Sequence, residues 1–159
     1  MQNINKARYG ITPRLKEHWR IFRKLWKSFS ELAKAVTDIS GLIAIEWPIR
    51  CAYWQDGRVK RVVKTAQFSH AVVAACMYGM RPQCAHEPDQ YIGKCWRISA
   101  NSAEFAAALD RRCDGSHRHV VTVGRETAAT AFYPRQLALQ VHFALQRWAK
   151  TPPSSSSTS

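Results

Sequence analysis

Cys113-Asp114-Gly115-Ser116-His117-Arg118-His119 sets a thiol and two imidazoles around a short polar turn. Thiolate and neutral imidazole are the ligands of closed, tetrahedral zinc sites, and Cys-x3-His is a workable half of one. Two further cysteines, Cys51 and Cys76, follow apolar runs that read as strands. In a parallel sheet the carboxyl ends of neighbouring strands converge, so these two thiols can complete the set. The expected ligands of a structural zinc are therefore Cys51, Cys76, Cys113 and His117. Cys84, His86, Cys95 and His119 are spare candidates. The two-plus-two spacing of a zinc finger is absent. Cys76 and Cys95 read equally well as small buried apolar residues, with His117 and His119 as ordinary turn polars. The residue pattern leaves both readings open.

Other chemistry has less to stand on. A nucleophilic cysteine needs a neighbouring base or a positive field to become a thiolate. Cys51 follows Arg50 and Cys113 follows Arg111 and Arg112, but the chain is basic throughout, so these neighbours single out neither thiol. No nucleophile-elbow sequence is present. Seven glycines without a G-x-G cluster argue against a complete dinucleotide or methyl-donor domain.

The elements that must position these groups follow from periodicity. Thr12-Pro13 opens a helix, since Thr caps and Pro is tolerated in the first turn. Leu15, Trp19, Phe22, Trp26, Phe29, Ala33 and Val36 then recur at spacings of 4, 3, 4, 3, 4 and 3, with Leu25 and Leu32 widening the stripe. This predicts an amphipathic helix over 13–37 with the tryptophans in the core. Its other face carries Arg14, Lys16, Arg20, Arg23, Lys24, Lys27 and Lys34. Leu42 to Glu46 is a nearly continuous apolar run, as in a buried parallel strand, stopped at Trp47-Pro48. A second helix is expected from near Trp54, with Arg58, Lys60, Arg61 and Lys64 on it. Strands are expected at Ala71–Cys76 and Cys95–Ser99, with a loop over 81–93 between them. Ser102 caps a helix with Phe105, Ala106 and Leu109 on one face. Val120 to Val123 is a small strand or extended loop. Tyr133-Pro134 opens a last helix whose apolar residues are Leu137, Val141, Phe143, Ala144, Leu145 and Trp148. The expected fold is α/β: a small, mostly parallel sheet of three or four strands flanked by helices, a partial Rossmann-like domain with a long N-terminal amphipathic helix. One domain spans 1–150, and 151–159 form a disordered Pro/Ser/Thr tail.

The formal net charge is +13, and residues 1–64 alone hold 14 Lys and Arg against 5 Asp and Glu. Such a chain attracts polyanions, so DNA or RNA is the expected partner. The bland alternative is a basic surface that only keeps the protein soluble or meets an acidic partner domain. No apolar run approaches the ~20 residues that span a bilayer, and the first residues lack a secretory apolar core. Five irregularly spaced cysteines read as reduced thiols, which places the chain inside the cell, in nucleus or cytoplasm.

Several stretches also resemble an uncharacterised module of retroelement-type polyproteins from unicellular eukaryotes. They are Gln2-Asn3-Ile4-Asn5, Ile45-Glu46-Trp47-Pro48, Cys51-Ala52-Tyr53-Trp54, Cys76-Met77-Tyr78-Gly79-Met80, Cys95-Trp96-Arg97-Ile98-Ser99 and Arg112 to His119. The module is in turn distantly similar to the C-terminal half of a cytosine-C5 DNA methyltransferase domain. That resemblance sets Glu46 at the place of the family's base-contacting glutamate, though the Asn-Val that should follow is absent. Tyr78-Gly79-Met80-Arg81-Pro82-Gln83 resembles the family's Tyr-Gly-x-Pro-Gln with one extra residue, and Arg97 lies in the strand after it. The family's catalytic Pro-Cys loop would fall at or before Met1, so the resemblance implies a truncated copy that does not transfer methyl groups alone. The expected function is thus a non-enzymatic, methyltransferase-like remnant of a mobile-element polyprotein. It would bind nucleic acid through Arg20, Arg23, Lys24, Lys27, Arg58, Lys60, Arg61 and Lys64, and other polyprotein segments are further partners. The alternatives are half of a base-modifying enzyme completed in trans, with Glu46 catalytic, and a vestigial or protein-interaction domain.

Overall fold

A computed structural model describes residues 12–82, 87, 89–120, 122, 127 and 130–151. Gln2 to Asn5, Cys84, His86, Val121, Val123 and the tail from 152 lie outside them. Helix α1 spans Pro13–Asp38, and its first turn is closed by Thr12 Oγ1, which accepts from Leu15 N–H at 3.2 Å. Strand β1 (Ala44–Pro48) leads through a 3₁₀ turn, Ala52–Gln55, into α2 (Gly57–Thr65). Trp54 therefore belongs to the turn. The helix starts later, where the Asp56 carboxylate accepts from Arg58 N–H at 2.8 Å. Strand β2 (Ser69–Ala74) ends in a second 3₁₀ turn, Ala75–Tyr78. A short β3 (Gln90–Ile92) precedes β4 (Cys95–Ala100), α3 (Ala103–Leu109), β5 (Arg118–Val120) and α4 (Arg135–Lys150). Ser102 caps α3 by accepting from Phe105 N–H.

The main sheet has the order β1-β4-β2, with β4 antiparallel to both neighbours. The expectation of a mostly parallel sheet is thus corrected: only the two-stranded β3-β5 ribbon is parallel. The helix-linked strands β1 and β2 do run the same way, but β4 separates them. Continuous apolar runs report burial on both faces, which helices impose on a sheet of either sense. Direction depends on the connection, and a parallel neighbour needs a helical crossover. Between β2 and β4 the chain has a 3₁₀ turn and the short β3, so β4 returns antiparallel.

Side-chain alternation gives the sheet two apolar faces. Ala71, Val73, Trp96, Ile98 and Ala100 pack with Phe105, Ala106, Leu109, Leu137 and Ala144 of α3 and α4. On the other face Ile43, Ile45 and Trp54 pack with Phe22, Trp26 and Ala33 of α1, and with Val59 of α2. Aromatic rings dominate this second layer: Phe22 stacks on Tyr53 with centroids 3.8 Å apart, and Trp26 meets Trp47 at 5.7 Å. The widening residues Leu25 and Leu32 stay outside, 64% and 60% exposed, as do Phe143 and Leu145 of α4.

Adjacent positions on α1 should therefore differ sharply in chemical denaturation. Trp26→Ala is expected to lower stability by about 3–5 kcal/mol. Leu25→Ala should stay within about 0.5 kcal/mol of the parent.

Candidate metal centre and basic face

Cys76 lies in the turn that ends β2, buried beneath the sheet's edge. The segment carrying the other candidate ligands is fastened beside it by backbone pairing. Arg111 N–H donates to Val72 O and Ala74 N–H donates to Arg111 O, both at 2.9 Å. The Asp110 carboxylate also accepts from Val72 N–H. Cys113 thereby arrives next to Cys76. The chain then turns at Gly115, whose φ of +76° is the left-handed region that glycine enters without strain. It continues into β5, where His119 pairs in register with Tyr91 of β3. Gly93 leaves room for this ribbon: a Cβ there would stand 3.2 Å from His119 Cβ.

Four donor atoms converge as a result. One ligand atom each from Cys76, Cys113, His117 and His119 lies within 4.8 Å of all the others. Cys113 Sγ is 3.6 Å from His117 Nε2 and 3.5 Å from His119 Nε2, and the two Nε2 atoms are 3.0 Å apart. A tetrahedral zinc with ordinary bond lengths would hold sulfur and nitrogen about 3.5 Å apart and two nitrogens about 3.3 Å apart. Cys113, His117 and His119 stand close to these separations, and with Cys76 within 4.8 Å the group could hold one four-coordinate ion, for which two thiolates and two imidazoles would suit zinc. Surrounding groups orient them. Gly115 N–H donates to Cys113 Sγ at 3.3 Å, and the Tyr91 ring lies 4.5 Å from that of His117. Burial pushes the Cys76 thiol up, with the Cys113 sulfur adding to the effect, to about 11.

A Cys-His nucleophile pairs the thiol with one imidazole, which a third group holds in turn. Here two imidazoles face the same thiol. Asp114 Oδ1, 3.9 Å from His117 Nδ1, is beyond hydrogen-bond range and is already taken by Ser116 N–H and Oγ–H. Those Ser116 hydrogen bonds hold the Asp114 carboxyl below the usual range. The four side chains together form a group that could hold a metal ion.

Cys76, Cys113 and His117 fall in this group as the spacing predicts, and Cys51 does not. Cys51 packs against the aromatic layer with Trp54 and Tyr53, and burial raises its thiol. The expectation that Cys51 and Cys76 close neighbouring strands fails because β4 stands between β1 and β2. Cys95, at the start of β4, has its thiol raised by burial and by the Cys113 sulfur, and it stays outside the group. His119 is the fourth donor. Its signal in the sequence is the His-x-His spacing, which keeps it within six residues of Cys113.

The basic residues occupy one layer. Helices α1 and α2 share a core, so their outer surfaces cover the same side of the sheet. Arg20, Arg23, Lys24, Lys27, Arg58, Lys60, Arg61 and Lys64 are all exposed there. Arg20 is bonded to Glu17 and Arg58 to Asp56. Arg23, Lys24, Lys27, Lys60, Arg61 and Lys64 have no ion pair among the described residues. Glu46 stands apart, on β1, where its carboxylate accepts from the Tyr133 hydroxyl. Burial and this bond raise the Tyr133 phenol. Among the described residues no helix is long and apolar enough to cross a membrane. Comparison of the chain with protein-family models, curated proteins and solved structures finds no match.

Metal analysis of the purified chain is expected to give about one zinc per molecule, removed by chelators together with part of the fold. Cys113→Ser and His119→Ala should abolish it, while Cys51→Ser should retain it. Gly93→Ala crowds His119 and is expected to weaken zinc affinity by about tenfold or more, read by competition with a chromogenic chelator.

Proposed function

We propose that this chain is a non-enzymatic, zinc-stapled module that binds nucleic acid through the outer surface of α1 and α2, without reading sequence. The observation that carries the reading is the single basic layer formed by these helices, with most of its cations free of acidic partners. Exposed Lys and Arg held on rigid helices meet phosphates and displace counterions, which supplies affinity but no base readout. Zinc on Cys76, Cys113, His117 and His119 would tie the β3-β5 ribbon to the main sheet, a role suited to a two-stranded element that is marginal alone. The resemblance to a methyltransferase-like segment of mobile-element polyproteins is compatible with such a remnant.

Binding of a ~20-base-pair duplex should fall linearly on a log–log plot against salt, with a slope of about 0.9 per phosphate contacted. Charge reversal at Arg23, Lys24 and Lys27 together is expected to weaken binding and flatten that slope equally for unrelated duplex sequences. Unchanged affinity and slope would remove the assignment.

A further inference from the structure

Strand β1 is the outer strand of the main sheet, and among the described residues β4 is the strand it pairs with. Asn101 N–H donates to Ile43 O, and Ile49 N–H donates to Cys95 O, so the odd-numbered residues make the ladder. In antiparallel alternation the N–H and C=O of Ala44 and Glu46 then point away from β4, to the open edge. The ladder ends at Pro48, whose carbonyl already accepts from Cys51 N–H and Trp54 Nε1–H.

An apolar groove lies along each side of this edge, and Ala44 and Glu46 line both. The groove on the α1 side, about 410 Å³, is walled by Ile21, Leu25, Phe29 and Trp47. The groove on the α4 side, about 380 Å³, is walled by Trp96, Tyr133, Ala138 and Val141. Ile21 is 45% exposed, Leu25 64% and Tyr133 51%, so apolar surface from both helical layers gathers at the edge. Glu46 Oε1 is buried there and has no hydrogen-bond partner among the described residues. A donor brought in from outside would satisfy it.

Unpaired strand groups between two apolar grooves match an added strand, whose alternate side chains would enter one groove and then the other. Charge selects the occupant. Arg50 lies two residues beyond the end of β1, and Lys24 and Arg135 are close in sequence to the groove residues Leu25 and Tyr133, all three exposed. The chain as a whole carries +13, so a second copy would meet strong like-charge repulsion. We propose that the open edge of β1 receives an extended polypeptide segment with apolar side chains at alternate positions and acidic flanks, paired in the sheet beside β1. This edge adjoins the basic outer layer of α1, with which it shares Lys24.

The probe is a nine-residue peptide alternating valine and threonine between acidic pairs, compared with the same peptide flanked by lysines. Titrated into the zinc-loaded full chain, the acidic peptide should shift the Ala44 and Glu46 amide resonances and slow their hydrogen exchange. The lysine-flanked peptide should bind about tenfold more weakly or worse. Ala44→Pro removes one outward N–H while leaving the ladder to β4 intact, a substitution edge strands tolerate, and it should abolish binding. Leu25→Glu, at an exposed helix position, should weaken the acidic peptide while leaving the spectrum of the fold unchanged. Absence of binding by either peptide at about 1 mM overturns the proposal. So does equal binding of both peptides. Self-association of the parent chain that Ala44→Pro removes would assign the edge to a second copy, and protection of the same amides by duplex DNA would assign it to nucleic acid.

Discussion

Strand β4 is bonded on both sides, and the position of every other element follows from that. It holds β1 through five register pairs from Ala44↔Ala100 to Pro48↔Trp96, and β2 through six from Ser69↔Ala100 to Ala74↔Cys95. Its alternation sends Trp96, Ile98 and Ala100 into the layer of α3 and α4. Arg97 turns the other way and lays its guanidinium over the Trp54 ring, 4.7 Å from the centroid. Ser99, also on that side, meets the His70 ring. The His70 ring gives the buried Ser99 a partner, while Arg97 has the Trp54 face and keeps its buried Nε without a hydrogen bond among the described residues.

The same strand decides which cysteines can meet. By separating β1 from β2 it leaves Cys51 at the far edge, inside the aromatic layer, and leaves Cys76 facing the loop that follows α3. That loop is drawn in by the backbone of Arg111, which adds a parallel bridge to the outer side of β2. The ribbon beyond it has little core of its own. Ile92 is fully buried and Ile92 N–H donates to Met80 O, but the ribbon's other residues are half-buried or exposed. Four soft and borderline donors at ion-binding distances stand where this ribbon joins the domain. A metal there would add stability at the point where hydrophobic burial adds least.

Charge and burial are divided between faces in the same way. The inner faces of α1 and α2 are aromatic and aliphatic, and the outer faces carry the cations in water. Ion pairs such as Arg20 with Glu17 and Lys34 with Asp38 are exposed and contribute little to stability. The fold therefore does not depend on neutralising the basic layer, which leaves that layer available to a polyanion. The apolar groups left in the open gather elsewhere, at the unpaired side of β1.

Much of this was legible in the residues themselves. The helix from Pro13, its cap at Thr12 and its buried stripe follow from local propensity and a 3.6-residue period. The cap at Ser102 is a local hydrogen bond of the same kind, whereas the later start of α2 at the Asp56 cap was not legible in the apolar pattern. Of the residues that converge, Cys113 and His117 stand out in the sequence because they share one turn with His119, a spare candidate there, and Cys76 because it follows an apolar run. The sense of the sheet was not legible, since an apolar run records burial on two faces and carries no information about the direction of its neighbour. The exclusion of Cys51 followed from that same unknown. Which thiol reaches which depends on strand order, a contact between residues more than 30 apart in the chain, and only the tertiary packing of β4 between β1 and β2 decided it.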